Sequence, residues 1–394
     1  MMLKYIPNQV AQIKKSNPCK GSPLIILCVI LAGIIVAGCG QPEATNYHQQ
    51  ETGQIDHVIL ITVDGLRWQE LFSGADSLLI GHEDYVRNVD KLSDVFWHDD
   101  AIVRRALLLP FFWNTIAEQG QIYGNRWLNN NMNLTNKYRF SYPGYSELLV
   151  GYADPKMDSN AKQWNPNTTV LEFIHNQPGF EGRVAVFSSW DVFPWIINSE
   201  RSGIPVNAGF EPYDGESLSE RQQLLNEILP QIPRPWSSVR HNAFTFHYAM
   251  EHLQNNHPRL LYIAFDETDE FAHSGNFQEY LYSSRQFDRF VEELWNFIQN
   301  DDRYKDKTAL VIATDHGRGT EPLDHWRHHG ASIEGAEEVW MAVIGPGIPA
   351  LGEVSEVMQL YQNQVAATVA SLLGIIFESE LPIGDKINLK RNHE

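Results

Sequence analysis

The sequence predicts an α/β fold, with a largely parallel central sheet and helices on both faces. Three observations carry that prediction. Five short apolar runs are too continuous to be half-exposed strands. Stretches of helical period lie between them. Hydrophobic residues make up 43% of the 394 residues and charged ones 20%, enough apolar material for a large core, which excludes disorder and fibrous repeats.

Taken in order, the runs are His57–Val63 (HVILITV), 183–187 (RVAVF), Leu260–Phe265 (LLYIAF), Thr308–Ala313 (TALVIA) and 339–344 (VWMAVI). Each has strand length and a bias to β-branched and aromatic residues. Helical periodicity marks 112–118, 239–254, 277–299 and 364–373, the last stopped by Gly374. In open sheets of this kind ligands collect beyond the carboxyl ends of the strands, so the polar residues directly after each run are the ones to inspect.

The amino-terminal 38 residues differ from the rest. They carry Lys4, Lys14, Lys15 and Lys20, no acidic residue, and an apolar run over 24–37. That run is short for a bilayer span and fits the core of a signal peptide. It ends Val36-Ala37-Gly38-Cys39, which resembles the lipobox of bacterial lipoproteins, where cleavage leaves a lipidated Cys as the new terminus. The expectation is a lipoprotein signal over 1–38, lipid on Cys39, a polar tether over 39–54 and one catalytic domain over 55–389. Gln41 rather than Asp two places after the Cys points to the outer membrane of a bacterial envelope, with the lipid as the membrane contact. Cys19 and Cys28 would leave with the signal, so neither disulfides nor Cys metal ligands are expected in the mature chain. The formal net charge of -19 repels phosphate backbones and excludes general nucleic-acid binding.

Three strand ends present carboxylate and imidazole. Asp64-Gly65 follows the first run; Asp266, Asp269 and His273 follow Leu260–Phe265; Asp315-His316-Gly317 follows Thr308–Ala313, with His325, His328 and His329 close behind. Asp269 and His273 are spaced to share one helical face. Such a donor set suits divalent metals. Each piece alone could be a helix cap, a turn or a surface pair; their coincidence at three strand ends is what points to a metal centre. Ser141 opens Ser141-Tyr142-Pro143-Gly144 and can stand at a helix start, where free N–H groups favour an anion; Ser146 is the competing nucleophile. Trp326 and Arg327, beside the His cluster, read as packing residues.

With those residues in place, the chain resembles the alkaline phosphatase superfamily, and within it the nucleotide pyrophosphatase/phosphodiesterase branch. VILITVDGLRW (58–68) is similar to the branch's first-strand motif, in which the residue matching Asp64 is a metal ligand. Ser141-Tyr142-Pro143-Gly144 resembles its nucleophile motif Thr-Phe-Pro-Asn, and Gly151 falls where that motif also has Gly. The stretch 267–273 resembles Glu-Pro-Asp-x-x-Gly-His, which implicates Asp269 and His273 rather than Asp266. Asp315-His316-Gly317 matches the family's Asp-His-Gly, and His329-Gly330 its terminal His-Gly. Two departures stand out: Ser for Thr at 141 and Gly for Asn at 144. Asn160 is the counterpart chosen for the phosphate-clamping Asn, with Lys162 as its competitor.

The resemblance implies an alkaline-phosphatase-like fold and hydrolysis of small phosphoric mono- or diesters through a phosphoryl-serine at a two-metal site. One ion would take Asp64, Asp315, His316 and the Ser141 alkoxide; the other would take Asp269, His273 and His329. The His and Asp mixture favours Zn²⁺ for both. Rival readings are a phosphomutase or phosphoethanolamine-type transferase with the same metal logic, and a non-catalytic envelope protein using its aromatics for binding. A sulfatase is the third; it usually needs an Arg that Ser141-Tyr142-Pro143-Gly144-Tyr145 lacks.

Overall fold

The computed structural model describes residues 54–215 and 217–389. The segment expected to be a signal, Cys39 and nearly all of the expected tether lie outside the described residues. Among the described residues an eight-stranded sheet runs in the order β5-β4-β6-β1-β7-β8-β2-β9. Its strands are β1 (His57–Val63), β2 (Gln121–Tyr123), β4 (Val184–Ser188), β5 (Val206–Ala208), β6 (Leu260–Phe265), β7 (Thr308–Ala313), β8 (Met341–Ile344) and β9 (Gly352–Glu353). A separate parallel pair joins β3 (Asn130–Asn133) to β10 (Met358–Tyr361).

The centre of the sheet is parallel: β1 lies between β6 and β7, and β4 runs parallel to β5 and β6. Its continuous apolar strands follow from burial on both faces. Ile59, Ile61 and Val63 of β1 enter one core with Leu261, Ile263 and Phe265 of β6. The alternate residues Val58 and Leu60 enter a second core with Leu260, Tyr262 and Ala264. Helices Asn242–Asn256 and Phe277–Asn300 cover the first face; Ser141–Val150, Val170–His175 and Val365–Leu372 cover the second.

Differences from the sequence expectation are local. The run at 339–344 pairs only from Met341, because the Val339 N–H is taken by the Met132 carbonyl, and it lies antiparallel to β7. Strand direction is not encoded in hydrophobic period. The 183–187 strand is shifted by one residue to Val184–Ser188. The helix expected at 239–254 runs over Asn242–Asn256. The 112–118 stretch is a π-helical turn over Phe112–Ile116 leading into Ala117–Gln119. Its entry is fixed from outside: the Asp288 carboxylate accepts the Phe111 and Phe112 N–H groups at 2.9 and 2.8 Å. The 364–373 helix begins with a 3-10 turn, Gln362–Gln364.

Register brings the site together. Val63 pairs with Phe265 and Thr62 with Ala313, so the three central strands end side by side. Whatever follows each of them must meet.

A candidate two-metal site at the strand ends

Asp64 follows β1, and its N–H is bonded to the Phe265 carbonyl at the end of β6. β6 passes into the helix Glu267–His273, which carries Asp269 and His273 one turn apart. β7 passes into Asp315-His316. Asp64, Asp315 and His316 are all buried. Around the His316 imidazole, Nε2 lies 3.2 Å from Asp64 Oδ1, 3.5 Å from Asp315 Oδ2 and 3.9 Å from Asp269 Oδ1. Ser141 Oγ is 3.3 Å from the same nitrogen. Ser141 is the first residue of the helix Ser141–Val150.

A second group adjoins the first. His273 Nε2 lies 3.1 Å from Asp269 Oδ2 and 2.9 Å from His329 Nε2, and His329 Nε2 is 3.6 Å from Asp269 Oδ1. The His316 and His329 rings stack at 4.0 Å. Donor atoms of Asp64, Asp315 and His316 lie within 4.8 Å of one another, and so do those of Asp269, His316 and His329. All seven residues singled out for metal binding therefore meet at one place.

The electrostatics are those of acids crowded together out of water. Burial, then the neighbouring Asp269, pushes the Asp64 carboxyl up. Burial and Asp64 push Asp315 well above the usual carboxylate range. Burial alone would lower His316, but Asp315 and Asp64 outweigh it and raise the imidazole to about 9. Burial would raise Asp269, yet Arg318 and His273 hold it well below its ordinary value. Asp64 Oδ1 and Asp315 Oδ2 are buried with no well-formed hydrogen bond, sharing only the His316 nitrogen at 3.2 and 3.5 Å, and His329 Nδ1 is buried without a hydrogen-bond partner. Buried carboxylate oxygens that share one imidazole and lack full hydrogen bonds are what a bound cation would satisfy, so the donor set fits divalent metal.

Ser141, Asp269, His273 and His329 open onto a cavity of about 670 Å³, which Asn160 and Lys162 also line. Asn160 Oδ1 accepts the Tyr142 N–H at 2.9 Å, so one of the N–H groups expected to be free at the helix start is already engaged. Lys162 Nζ is held by Asp191 Oδ2 at 2.8 Å. Ser146, the competing nucleophile, is buried away from the cavity and takes a hydrogen bond from Asn165 at 3.2 Å. His325 and His328 do not join either donor group; His328 instead faces Asp324 at 3.3 Å. Trp326 is fully buried among aromatic neighbours.

Residues 87–371 match the family described as type I phosphodiesterase / nucleotide pyrophosphatase. The chain belongs to that family. This phosphodiesterase-family chain is also similar in fold to solved structures of the alkaline phosphatase superfamily. Wild-type alkaline phosphatase PafA superposes with TM-score 0.52 at 10% identity, over 85% of this chain and 99% of the other. The phosphonate monoester hydrolase of Agrobacterium radiobacter gives 0.51 at 12%, over 84% and 76%. A 2-O GAG sulfatase gives 0.50 at 12%, over 84% and 72%. No curated protein matches the sequence significantly. The superfamily comprises phosphoester hydrolases and sulfatases, and its enzymes use divalent metals.

Several residues around the site were not singled out from sequence. The Tyr145 hydroxyl donates to Asp64 Oδ2 at 3.0 Å. It lies four residues after Ser141 on the same helical face, and that spacing was the available signal. Thr268 Oγ1 donates to the Asp64 carbonyl. Gln362 Nε2 donates to the carbonyls of both Gly144 and Asp315 at 2.9 Å. Arg318 pairs with Asp269. For Thr268, Gln362 and Arg318 no local pattern announces the contact, because each reaches a partner remote in sequence.

Proposed function

We propose that this protein is a metal-dependent phosphoric-ester hydrolase that works through a phosphoryl-Ser141 intermediate. One observation carries the reading. Asp64, Asp315 and His316 converge beside Ser141, and Asp269, His273 and His329 converge next to them at the same cavity. The first group with Ser141 would hold one divalent ion and the second group the other; mixed Asp and His donors without Cys favour zinc. When bound, the ions would lower the cost of ionising the Ser141 hydroxyl and offset charge gathering on the phosphoryl oxygens.

The chain's own residues supply the rest. Ser141 Oγ forms a bond to phosphorus as the ester P–O bond breaks and the leaving-group oxygen departs; the Ser141 proton passes to solvent. Water then cleaves the Ser141–phosphoryl bond and restores the hydroxyl. Asn160, fixed by the Tyr142 N–H, keeps its side-chain N–H donors for a phosphoryl oxygen. Lys162, tied to Asp191, lines the same cavity as Ser141 and Asn160 and brings a positive charge to an anionic ester there.

The test is a panel of p-nitrophenyl phosphate, bis-p-nitrophenyl phosphate, a phosphonate monoester and p-nitrophenyl sulfate, run with wild type and Ser141→Ala. Turnover of a phosphorus ester with a phosphoenzyme trapped by acid quench, both lost in Ser141→Ala, is expected. Loss should be at least ~10³-fold, as for removal of other covalent nucleophiles. Near-normal activity in the variant, or turnover of the sulfate alone, would sink the proposal.

A further inference from the structure

Arg318 follows Asp315-His316-Gly317 and is 1% exposed. Its guanidinium makes three contacts. Nε donates to the Trp326 carbonyl at 2.8 Å, one terminal nitrogen donates to the Arg327 carbonyl, and the other pairs with Asp269 Oδ1. Burying a guanidinium is costly unless it is paired and hydrogen-bonded, and this one is both. The space is cut to fit. A Cβ on Gly65, whose φ is +59°, would lie 2.7 Å from the Arg318 nitrogen and 3.0 Å from Asp269 Oδ1.

We propose that Arg318 is a positioning residue for the second cation: it locks Asp269 and the His329 segment into one donor geometry. The inference rests on the reading of Asp269, His273 and His329 as ligands. The guanidinium anchors Oδ1, which also faces His329 at 3.6 Å, and so fixes the carboxylate plane with Oδ2 on the side of His273. The two carbonyls bound by Arg318 belong to the segment that continues into His329, only two residues past Arg327. A single planar fork thus ties the helix carrying Asp269 and His273 to the loop carrying His329. Lysine, a point donor on a flexible stem, cannot reproduce that fork. Asp64 and Asp315 make no hydrogen bond or ion pair with Arg318.

The experiment is calorimetric titration of metal-stripped protein with Zn²⁺ in a competing chelator, with elemental analysis of the stoichiometry. Wild type should take up two ions. Arg318→Met should weaken the second by about 10–100-fold, the usual consequence of losing an outer contact to a ligand, and leave the first within about threefold. Should that variant fail to fold, Arg318→Lys serves, with a loss of about tenfold or more at the second ion. In an Asp269→Asn background, Arg318→Met should add less than about threefold, because the two act through one contact. Wild-type titration curves in both variants, or equal loss at both ions, overturn the proposal. If wild type takes up no zinc, the functional reading itself fails and this inference with it.

Discussion

Gly144 stands where the family's nucleophile motif carries Asn, and packing explains why no side chain is tolerated here. A Cβ at 144 would lie 2.4 Å from the Asp315 carbonyl oxygen. The helix that begins at Ser141 is thereby pressed onto the end of β7, and Gln362 clamps the two by bonding both carbonyls. Gly144→Ala must push Ser141 away from Asp315 and His316. Overpacking of this kind costs about 1–3 kcal/mol. We expect a lower Tm and at least a tenfold fall in kcat/KM; an unchanged kcat/KM would show that the close approach is dispensable. At this scale the sequence displays the polar groups, since Asp64, Asp269 and Asp315 interrupt or follow apolar runs. It does not display their supports. Tyr145, Gln362 and Arg318 act through contacts made only when distant segments fold together.

At the scale of elements, Asp288 shows one helix setting another. It projects from Phe277–Asn300 and receives the two N–H groups at the start of the Phe112–Ile116 turn. Burial pushes its carboxyl up to about 7 from an ordinary 3.8, against the lowering effect of those N–H bonds. The folded protein keeps this proton at pH values where the unfolded chain has lost it. The group therefore favours folding below about pH 4, and the advantage fades as pH rises to about 7. In urea melts the margin of wild type over Asp288→Asn should shrink across that window, by up to about 4 kcal/mol. Parallel pH profiles for the two proteins would refute the assignment. The helix at 277–300 was legible because its long apolar stripe has one period; the π turn at 112–116 was not, because a carboxylate from elsewhere dictates it.

For the whole molecule, the metal reading has a thermodynamic consequence. Without cations, burial holds Asp64, Asp266 and Asp315 in their protonated forms to higher pH than usual, and two carboxylate oxygens stay buried without a full hydrogen bond. Ions that bind only the folded state stabilise it, by about 4 kcal/mol when free ion stands a thousandfold above Kd. Chelation should lower the Tm by several degrees and added Zn²⁺ should restore it. A Tm indifferent to chelator would count heavily against a resident metal. Net charge of -19 gives the same direction, since each bound cation relieves repulsion within an acidic chain.

The sequence by itself determined the α/β class, the central strands His57–Val63, Leu260–Phe265 and Thr308–Ala313, and the seven residues brought together beyond their ends. Strands buried on both faces must be continuously apolar, and polar residues directly after them have few other places to go, which marks Asp64, Asp315 and His316. The choice of Ser141, Asp269, His273 and His329 among their neighbours came from the family motifs those segments resemble. Tertiary structure alone decided that β8 runs antiparallel, that Gly144 touches Asp315, and that Arg318 grips Asp269. Those outcomes depend on which segments become neighbours in space, and a one-dimensional pattern of polarity carries no direction and no distance.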